Sequence, residues 1–350
     1  MRKLTCLNGY WDFAPCENLE ALPTAWDSVK IHVPSPFNVN SFSHGYHKTI
    51  AGETFYVQGG DFRLYPEYPV EWDSAKAGFY RRTFFVPEEA KGKRLFLRFD
   101  AVAYHSVYYL NGQKIGEEYE GFLPIEWEIT DYVNYGADNE LMVGASVVET
   151  LIYRDKDGRR RCDYPHGSFW GGHIAGIWQD CYLIERPADY IQDIFAVTDV
   201  YDRTLTIRFE CQAKAGLSLR FYLQKWNTDQ PERLVAETAC SEKGQAVWQY
   251  QDGDVELWDP DHPNLYWLIG RLYEGDTLVD ETQVRIGFRT FTCDGDRFKL
   301  NGKPIKLKND SWHYMGYSVQ TEEFARSYYK MAKDAHVNII RLHAQPFPSF

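Results

Sequence analysis

The chain has 350 residues, a length that suits two or three domains. Of these residues 44% are hydrophobic and 16% aromatic, a composition typical of globular proteins. Its formal charge of −12, from 50 acidic and 38 basic residues, argues against nucleic acid as a partner, because phosphate backbones require a positive surface. No apolar stretch approaches the ~18–20 residues of a membrane-spanning helix, which excludes an integral membrane protein of that kind.

The opening segment MRKLTCLNGYWDF lacks the apolar core of a secretion signal. A cytoplasmic location is therefore the default expectation, although removal of a signal from a processed, secreted form would leave no trace in the sequence.

From about residue 78 the sequence alternates between apolar and polar residues in the manner of half-buried strands. Between two such runs stands Asn111-Gly112, a dipeptide that favours the type I′ turn of a tight hairpin. We therefore predict an antiparallel β-domain from the segments GFYRRTFFVP, KRLFLRFDAV, SVYYLNGQKIGEEYEG, IEWEITDYV and NELMVGASVV.

After Arg186-Pro187 the alternating pattern starts again. About seven short strands follow over roughly a hundred residues, the number and spacing of an immunoglobulin-like β-sandwich. We expect this second domain to begin near residue 188.

The last sixty residues change from strand patterns to a strand, a helix and a strand. Ile305 and Leu307 predict a short strand, Thr321 a helix cap, and the apolar run 337–340 a second strand. Such a βαβ unit requires a parallel sheet, so we expect the chain to stop partway into an α/β domain. The apolar residues of an incomplete sheet would be uncovered, which favours association with another copy of the chain.

Several segments together resemble glycoside hydrolase family 2, the family of β-galactosidases, β-glucuronidases and β-mannosidases. The resemblance runs over nearly the whole chain, through the segments LNGYWDF, AGFYRRTFFVP, FDAVAYHSVYYLNGQKIG, GGHIAGIWQDCYLIERP, LWDPDHPNLYWL, RIGFRTF and LNGKPIKLKNDSWHY. It implies a mostly β chain with three parts: a jelly-roll sugar-binding domain at 1–187, an immunoglobulin-like β-sandwich at 188–291, and the first βαβ unit of a (β/α)₈ TIM barrel at 292–350.

The resemblance also implies a chemistry. Family members hydrolyse β-glycosides with retention, using two glutamates as acid/base and nucleophile. By resemblance these lie on the fourth and seventh barrel strands, which would fall beyond Phe350, so no catalytic residue is expected in this chain. The 350-residue chain alone is then expected to be inactive.

Four residues near the ends of the two predicted barrel strands are candidates for the substrate pocket. Arg341 stands where the family carries an active-site arginine, and His313 where many members carry a histidine. His343 and Asp310 are further candidates, although each also suits a purely structural role. For Arg341 the alternative is a strand-end salt bridge, and for His313 a loop cap. The chain departs from the family at Asn309, where a glycine is usual, and in having its histidine at 343 rather than 344.

Other motifs give weaker signals. The segment HGSFWGGH at 166–173 could stack on a sugar, but a glycine-rich loop with its tryptophan packed down is the favoured interpretation. Seven scattered cysteines without a C-x-x-C motif predict reduced thiols rather than a disulfide framework or a zinc site. The spacings His44/His47 and Cys162/His166/His173 are too common to predict a metal, and we predict no cofactor.

The sequence therefore supports a portion of a retaining β-glycosidase that acts on β-galactoside-, β-glucuronide- or β-mannoside-like carbohydrates. An alternative from another class is a non-catalytic carbohydrate-binding or scaffold β-sandwich protein. A third hypothesis has the barrel completed by a second chain.

Overall fold

The computed structural model describes residues 2–38, 46–50, 53–57, 68–163, 174–312 and 322–342. Within these ranges the protein is mostly β, with one α-helix. No helix in this part of the chain combines the length and the apolar character that crossing a bilayer requires.

The first part of the chain is a sandwich of two antiparallel sheets. Its strands are β1 Lys3–Cys6, β2 Gly9–Cys16, β3 Ile31–Val33, β4 Tyr46–Ile50, β5 Glu53–Val57, β6 Ala77–Val86, β7 Arg94–Phe99, β8 Val102–Ala103, β9 His105–Leu110, β10 Gln113–Glu118, β11 Ile125–Glu128, β12 Ala137–Ser146, β13 Tyr153–Arg154, β14 Arg160–Arg161, β15 Gly176–Ile177 and β16 Cys181–Arg186. Short 3₁₀ helices span Val70–Ser74, Glu88–Ala90 and Val148–Leu151. The main sheets have the orders β1-β16-β7-β11 and β10-β9-β12-β6-β2-β3.

An aromatic core joins these two sheets. Trp11, Phe13, Trp72, Tyr80 and Tyr108 are all buried in one apolar cluster. The Phe13 ring lies 4.4 Å from Trp72 and 5.1 Å from Tyr80, measured between centroids. The high aromatic content of the sequence is thus used in part to fill the space between the sheets, since each such ring removes much apolar surface from water.

The predicted hairpin is confirmed. Asn111 and Gly112 have φ angles of 50° and 78°, so both central residues of the β9–β10 turn adopt the positive φ that a type I′ turn requires. The register places Leu110 opposite Gln113 and Tyr109 opposite Lys114, with a bulge between Lys114 and Gly116. That bulge shifts the register by one residue, so it changes which residues of β9 lie opposite the second half of β10.

Seven strands form a second sandwich with its own core. They are β17 Tyr190–Asp199, β18 Thr204–Gln212, β19 Ser218–Lys225, β20 Arg233–Ala239, β21 Lys243–Gln249, β22 Tyr266–Glu274 and β23 Thr277–Ile286. The sheets have the orders β17-β18-β21 and β20-β19-β22-β23, and Phe221 and Phe288 lie fully buried in the core that they enclose. The predicted number of about seven strands is correct.

Two of the cysteines that were predicted to be structural lie inside these cores. Cys181 is buried in the first sandwich and Cys211 in the second. Burial raises the pKa of both thiols, because a buried thiolate would lack its hydration.

The remaining elements are β24 Phe291–Asp294, β25 Arg297–Leu300, β26 Lys303–Ile305, β27 Asn309–Trp312, α1 Glu322–Asp334 and β28 Ile339–Leu342. The expectation that Ile305 and Leu307 form the first parallel strand is wrong. A hairpin at Asn301-Gly302, with φ angles of 51° and 80°, turns Ile305 back to pair with Phe298 in an antiparallel sheet. The parallel pair is formed instead by β27 and β28, and β28 begins two residues later than expected.

A buried ion pair connects the start of the chain to the second sandwich. The Asp280 carboxylate, on β23, accepts hydrogen bonds from Arg2 Nε at 2.9 Å and Arg2 Nη2 at 2.7 Å. It also accepts from the backbone N–H of Ile191 at 2.9 Å, and the Asp280 side chain is fully buried. Both carboxylate oxygens are therefore satisfied by groups from two distant segments.

This ion pair gives the first prediction. Arg2→Ala would leave Asp280 as a buried charge without its counter-ion, so we expect the free energy of unfolding to fall by about 3–5 kcal/mol. The matched control is Arg203→Ala, which removes an exposed ion pair to Asp252 of 2.9 Å and should cost less than about 1 kcal/mol. Denaturant unfolding followed by fluorescence measures both; equal effects of the two substitutions would contradict the prediction.

A second prediction follows for residues 188–291 expressed alone. Their separate core predicts a cooperative thermal transition, but the fragment lacks Arg2. Asp280→Asn should therefore destabilise the 350-residue chain by about 1–3 kcal/mol, and should leave the fragment unchanged or more stable. Calorimetry of the four proteins tests this, and a fragment without any transition, or with the same loss as the full chain, would refute it.

Candidate functional site

The carboxyl ends of two parallel strands form the candidate site. β27 pairs in parallel with β28, with Asp310 opposite Ile340 and Ser311 opposite Arg341. The helix α1 lies between them in sequence, so the two strands and the helix form a βαβ unit, with β27 in place of the predicted first strand. Both strands run in the same direction, and the residues at their carboxyl ends meet at one edge of the sheet.

Asp310 binds the helix. Its Oδ2 accepts a hydrogen bond of 2.8 Å from the hydroxyl of Tyr328 on α1, and its Oδ1 accepts one of 2.8 Å from the backbone N–H of Ser311. Burial and this neighbouring carboxylate raise the pKa of the Tyr328 hydroxyl. The side chain of Asp310 therefore lies on the helix side of the two-stranded sheet.

Arg341 lies on the other side of the sheet. Successive side chains of a strand alternate between the two faces, and the register pairs Arg341 with Ser311, one position after Asp310. The Arg341 residue is exposed, on the face away from the helix. A guanidinium in that position can donate two parallel hydrogen bonds to a carboxylate.

Other predicted positions lie outside the described residues. These are His313, His343, Thr321 and the segment 166–173, and also His44 of the weak metal motif. Within the described ranges no three His, Cys, Asp or Glu side chains are arranged to hold a metal ion.

A cavity of about 530 Å³ lies at the opposite, amino-terminal end of the parallel pair. It is lined by the connection between β21 and β22, including Asp259 and His262, and by Lys308, Lys333 and Asn338. Lys333 on α1 donates to the backbone oxygen of Pro260, and the Asn338 amide oxygen accepts from Lys308 N at 2.8 Å. The first contact holds the end of the helix, and the second joins the amino-terminal ends of the two strands.

The structure also brings together a polar cluster that the sequence analysis did not single out. His105, Glu117 and Tyr119 lie on and after the β9–β10 hairpin, with His105 Nε2 2.7 Å from Glu117 Oε1. The Tyr119 hydroxyl donates to the same carboxylate oxygen at 3.1 Å. The predicted hairpin could have indicated that these strands are neighbours, but the bulge in β10 changes which residues meet.

Two family models match the chain. Residues 4–187 match the model described as "Glycosyl hydrolases family 2, sugar binding domain", and residues 189–289 match "Glycosyl hydrolases family 2". Together they cover the two sandwiches.

The individual proteins that match nearly the whole chain are named as glycosidases. The chain is 25% identical over 360 residues to a β-galactosidase of Streptococcus thermophilus, covering 99% of this chain and 33% of that protein. It is 26% identical over 356 residues to a β-galactosidase of Clostridium acetobutylicum, covering 97% of this chain and 37% of that protein. The chain therefore spans about a third of the length of these relatives.

A solved structure has the same fold. The crystal structure of the β-glucuronidase of Ruminococcus gnavus superposes with a TM-score of 0.71 at 21% sequence identity, covering 99% of this chain and 56% of that one. The resemblance inferred from sequence segments is thus confirmed by a family model that matches more than half of the chain. The chain belongs to glycoside hydrolase family 2.

Proposed function

We propose that the chain is the amino-terminal part of a retaining β-glycosidase that acts on a β-galactoside-, β-glucuronide- or β-mannoside-like carbohydrate. The observation that carries the proposal is the parallel pair β27–β28, which follows the two family 2 sandwiches and holds Arg341 on the face away from its helix. The names of the relatives, β-galactosidase and β-glucuronidase, support the same class of reaction.

The proposed division of the chain is a jelly roll at 1–187, an immunoglobulin-like sandwich at 188–291 and the start of a TIM barrel at 292–350. Two separate cores support the first boundary. A parallel strand pair with an intervening helix is the repeating unit of a (β/α)₈ barrel, whose active site lies at the carboxyl ends of the strands. The side of the sheet that carries Arg341 then becomes the inside of the barrel.

In this proposal the described residues position the substrate and do not break the bond. Retaining hydrolysis needs two carboxyl groups ~5 Å apart, one to protonate the departing oxygen and one to attack the anomeric carbon. We place both on later barrel strands, beyond Phe350. Arg341 would bind the attacking carboxylate bidentately and keep it ionised, because an adjacent positive charge favours the charged form. His313 would donate to a sugar hydroxyl, His343 stays a further candidate for the same pocket, and Asp310 would hold the helix.

The apolar side chains around the parallel pair support further barrel strands as their cover. Ile339 and Leu342 on β28 are 39% and 49% exposed, and Met331 on α1 is 60% exposed. An uncovered surface of this kind promotes association, so in the 350-residue chain a second copy would be its nearest substitute.

The alternative of a non-catalytic carbohydrate-binding or scaffold protein is not favoured. The relatives that match nearly the whole chain are named as glycosidases, and the βαβ unit has no evident use in a protein made of β-sandwiches alone.

The proposal predicts where activity is found. Protein produced from the reading frame continued past Phe350 should hydrolyse at least one of nitrophenyl β-galactoside, β-glucuronide and β-mannoside, and the first sugar released should be the β-anomer by proton NMR. The 350-residue chain should hydrolyse none of them, because both carboxyl groups must converge in one closed site.

Two substitutions in the longer protein separate the proposed roles of the strand ends. Arg341→Ala should lower kcat/KM by about 100-fold or more, since it removes a preorganised charge from the site. Asp310→Asn is the matched control and should change kcat/KM less than about threefold, because its amide oxygen still accepts from Tyr328. Turnover by the purified 350-residue chain, abolished by Arg341→Ala, would contradict the proposed location of the active site.

A further inference from the structure

A groove of about 480 Å³ crosses the outer face of the six-stranded sheet in the first sandwich. Its floor is Val107 on β9, next to Gly144 on β12. A Cβ at Gly144 would lie 2.8 Å from both Leu19 and Val107, so the glycine lets the loop after β2 pack closely onto the sheet. Leu19 and Leu151 stand on its sides. The volume is within the usual range for small-molecule sites, about 300–1,000 Å³.

Aromatic rings lie along this groove. His105, Val107 and Tyr109 alternate onto the outer face of β9 and span roughly 13 Å at ~3.3 Å per residue. The Tyr119 ring is stacked on His105, with centroids 4.3 Å apart and an interplanar angle of 6°. The stack holds the Tyr119 side chain, and with it the Tyr119 hydroxyl, in one orientation. Tyr109, at the other end of this row of β9, supplies a second aromatic ring to the lining.

Glu117 and Lys114 supply a fixed acceptor and donor beside these rings. Glu117 Oε1 receives hydrogen bonds from His105 and Tyr119, whereas Oε2 receives one, of 2.5 Å, from Lys114 Nζ among the described residues. Oε2 can accept one more hydrogen bond, and the Lys114 ammonium can donate two more. Hydrogen bonds from Lys114 and His105 lower the pKa of Glu117 to about 2, so the carboxylate is ionised at neutral pH.

The charges of the groove disfavour an anionic ligand. Lys114 is neutralised by Glu117 at 2.5 Å, and Glu20 adds a second carboxylate to the lining. A phosphate or a uronate would meet no uncompensated positive charge here. A pair of neighbouring hydroxyls suits the site better, since one can donate to Glu117 Oε2 while the other accepts from Lys114.

From these observations we propose that the groove is a carbohydrate-binding site for a neutral glycosyl unit with vicinal hydroxyls, separate from the barrel strands. The hydroxyl pair contacts Glu117 and Lys114, and the apolar C–H face of the sugar ring packs against Tyr109, which lies opposite Lys114 in the β9–β10 register. The groove lies within the residues that match a sugar-binding family model, which does not say where a sugar would bind. Binding here requires no hydrolysis, so the proposed site can be tested independently of the proposed glycosidase activity.

The test uses the 350-residue chain with methyl β-galactoside, methyl β-glucoside and methyl β-glucuronide as probes, followed by saturation-transfer NMR and calorimetry. At least one neutral glycoside should bind saturably, and the glucuronide should bind at least tenfold more weakly. Tyr109→Ala and Lys114→Gln should each lower the affinity for the neutral glycoside at least fivefold. Tyr109→Phe should retain more affinity than Tyr109→Ala, because the ring remains.

Tyr10→Ala is the matched control for Tyr109→Ala. Tyr10 is a 63% exposed tyrosine in the same sheet, but it does not line the groove. Its loss should leave the affinity unchanged. If Tyr109→Ala fails to fold, Lys114→Gln, at an exposed position of the hairpin, still tests the proposal. Absence of saturable binding by the neutral glycosides, tighter binding of the glucuronide, or equal losses in Tyr10→Ala and Lys114→Gln would overturn the proposal.

Discussion

The buried carboxylate of Asp280 is the interaction that ties the two sandwiches together. A charged group with no exposed surface is stable only if its oxygens are bonded, and here the partners are Arg2 and the backbone of Ile191. Next to it, Arg186 lies over the rings of Phe96 and Tyr190, at 4.3 and 5.2 Å, and binds Glu126 through two hydrogen bonds. The junction is therefore built from ion pairs and rings whose partners come from both sandwiches, which fixes where β17 starts.

The alternation of side chains in a strand separates Asp310, which binds the helix, from Arg341, the proposed substrate-pocket residue. Asp310 and Arg341 are one position apart in register, so the first lies on the helix side and the second on the opposite side. The same geometry operates on β9, where Tyr108 is buried in the core while His105 and Tyr109 line the outer groove. In both places the two faces of one sheet differ: one packs against the interior of the domain or the helix, and the other is open to a proposed ligand.

Local signals predicted most of the fold. Asn111-Gly112 indicated its hairpin because only positive φ at both residues makes that turn, and the alternating segments indicated their strands. β27 was not predicted, because strands were identified by their apolar periodicity and the sequence of β27, Asn-Asp-Ser-Trp, is mostly polar. The Arg2–Asp280 pair and the His105–Glu117–Tyr119 cluster could not be predicted, since the first joins residues 278 apart and the second depends on a bulge. Arg341 was suggested by family resemblance, and its face of the sheet required the register.

The pairing of β1 with β16 has a consequence for how the protein is made. Lys3 lies opposite Glu185 in this pair, so the first sandwich cannot close until the ribosome has synthesised almost all of it. Closing so long a loop costs only about 2.5 kcal/mol more than closing one of ten residues, so the late synthesis of β16 adds little to the free-energy cost of docking β1. Once β1 has docked, Arg2 is held beside the position where β17 will start, before Asp280 has been translated. The second sandwich thus folds against a first sandwich that already presents Arg2, the counter-ion of the buried Asp280. Synthesis from the amino terminus therefore makes the two partners available in the order in which they are needed.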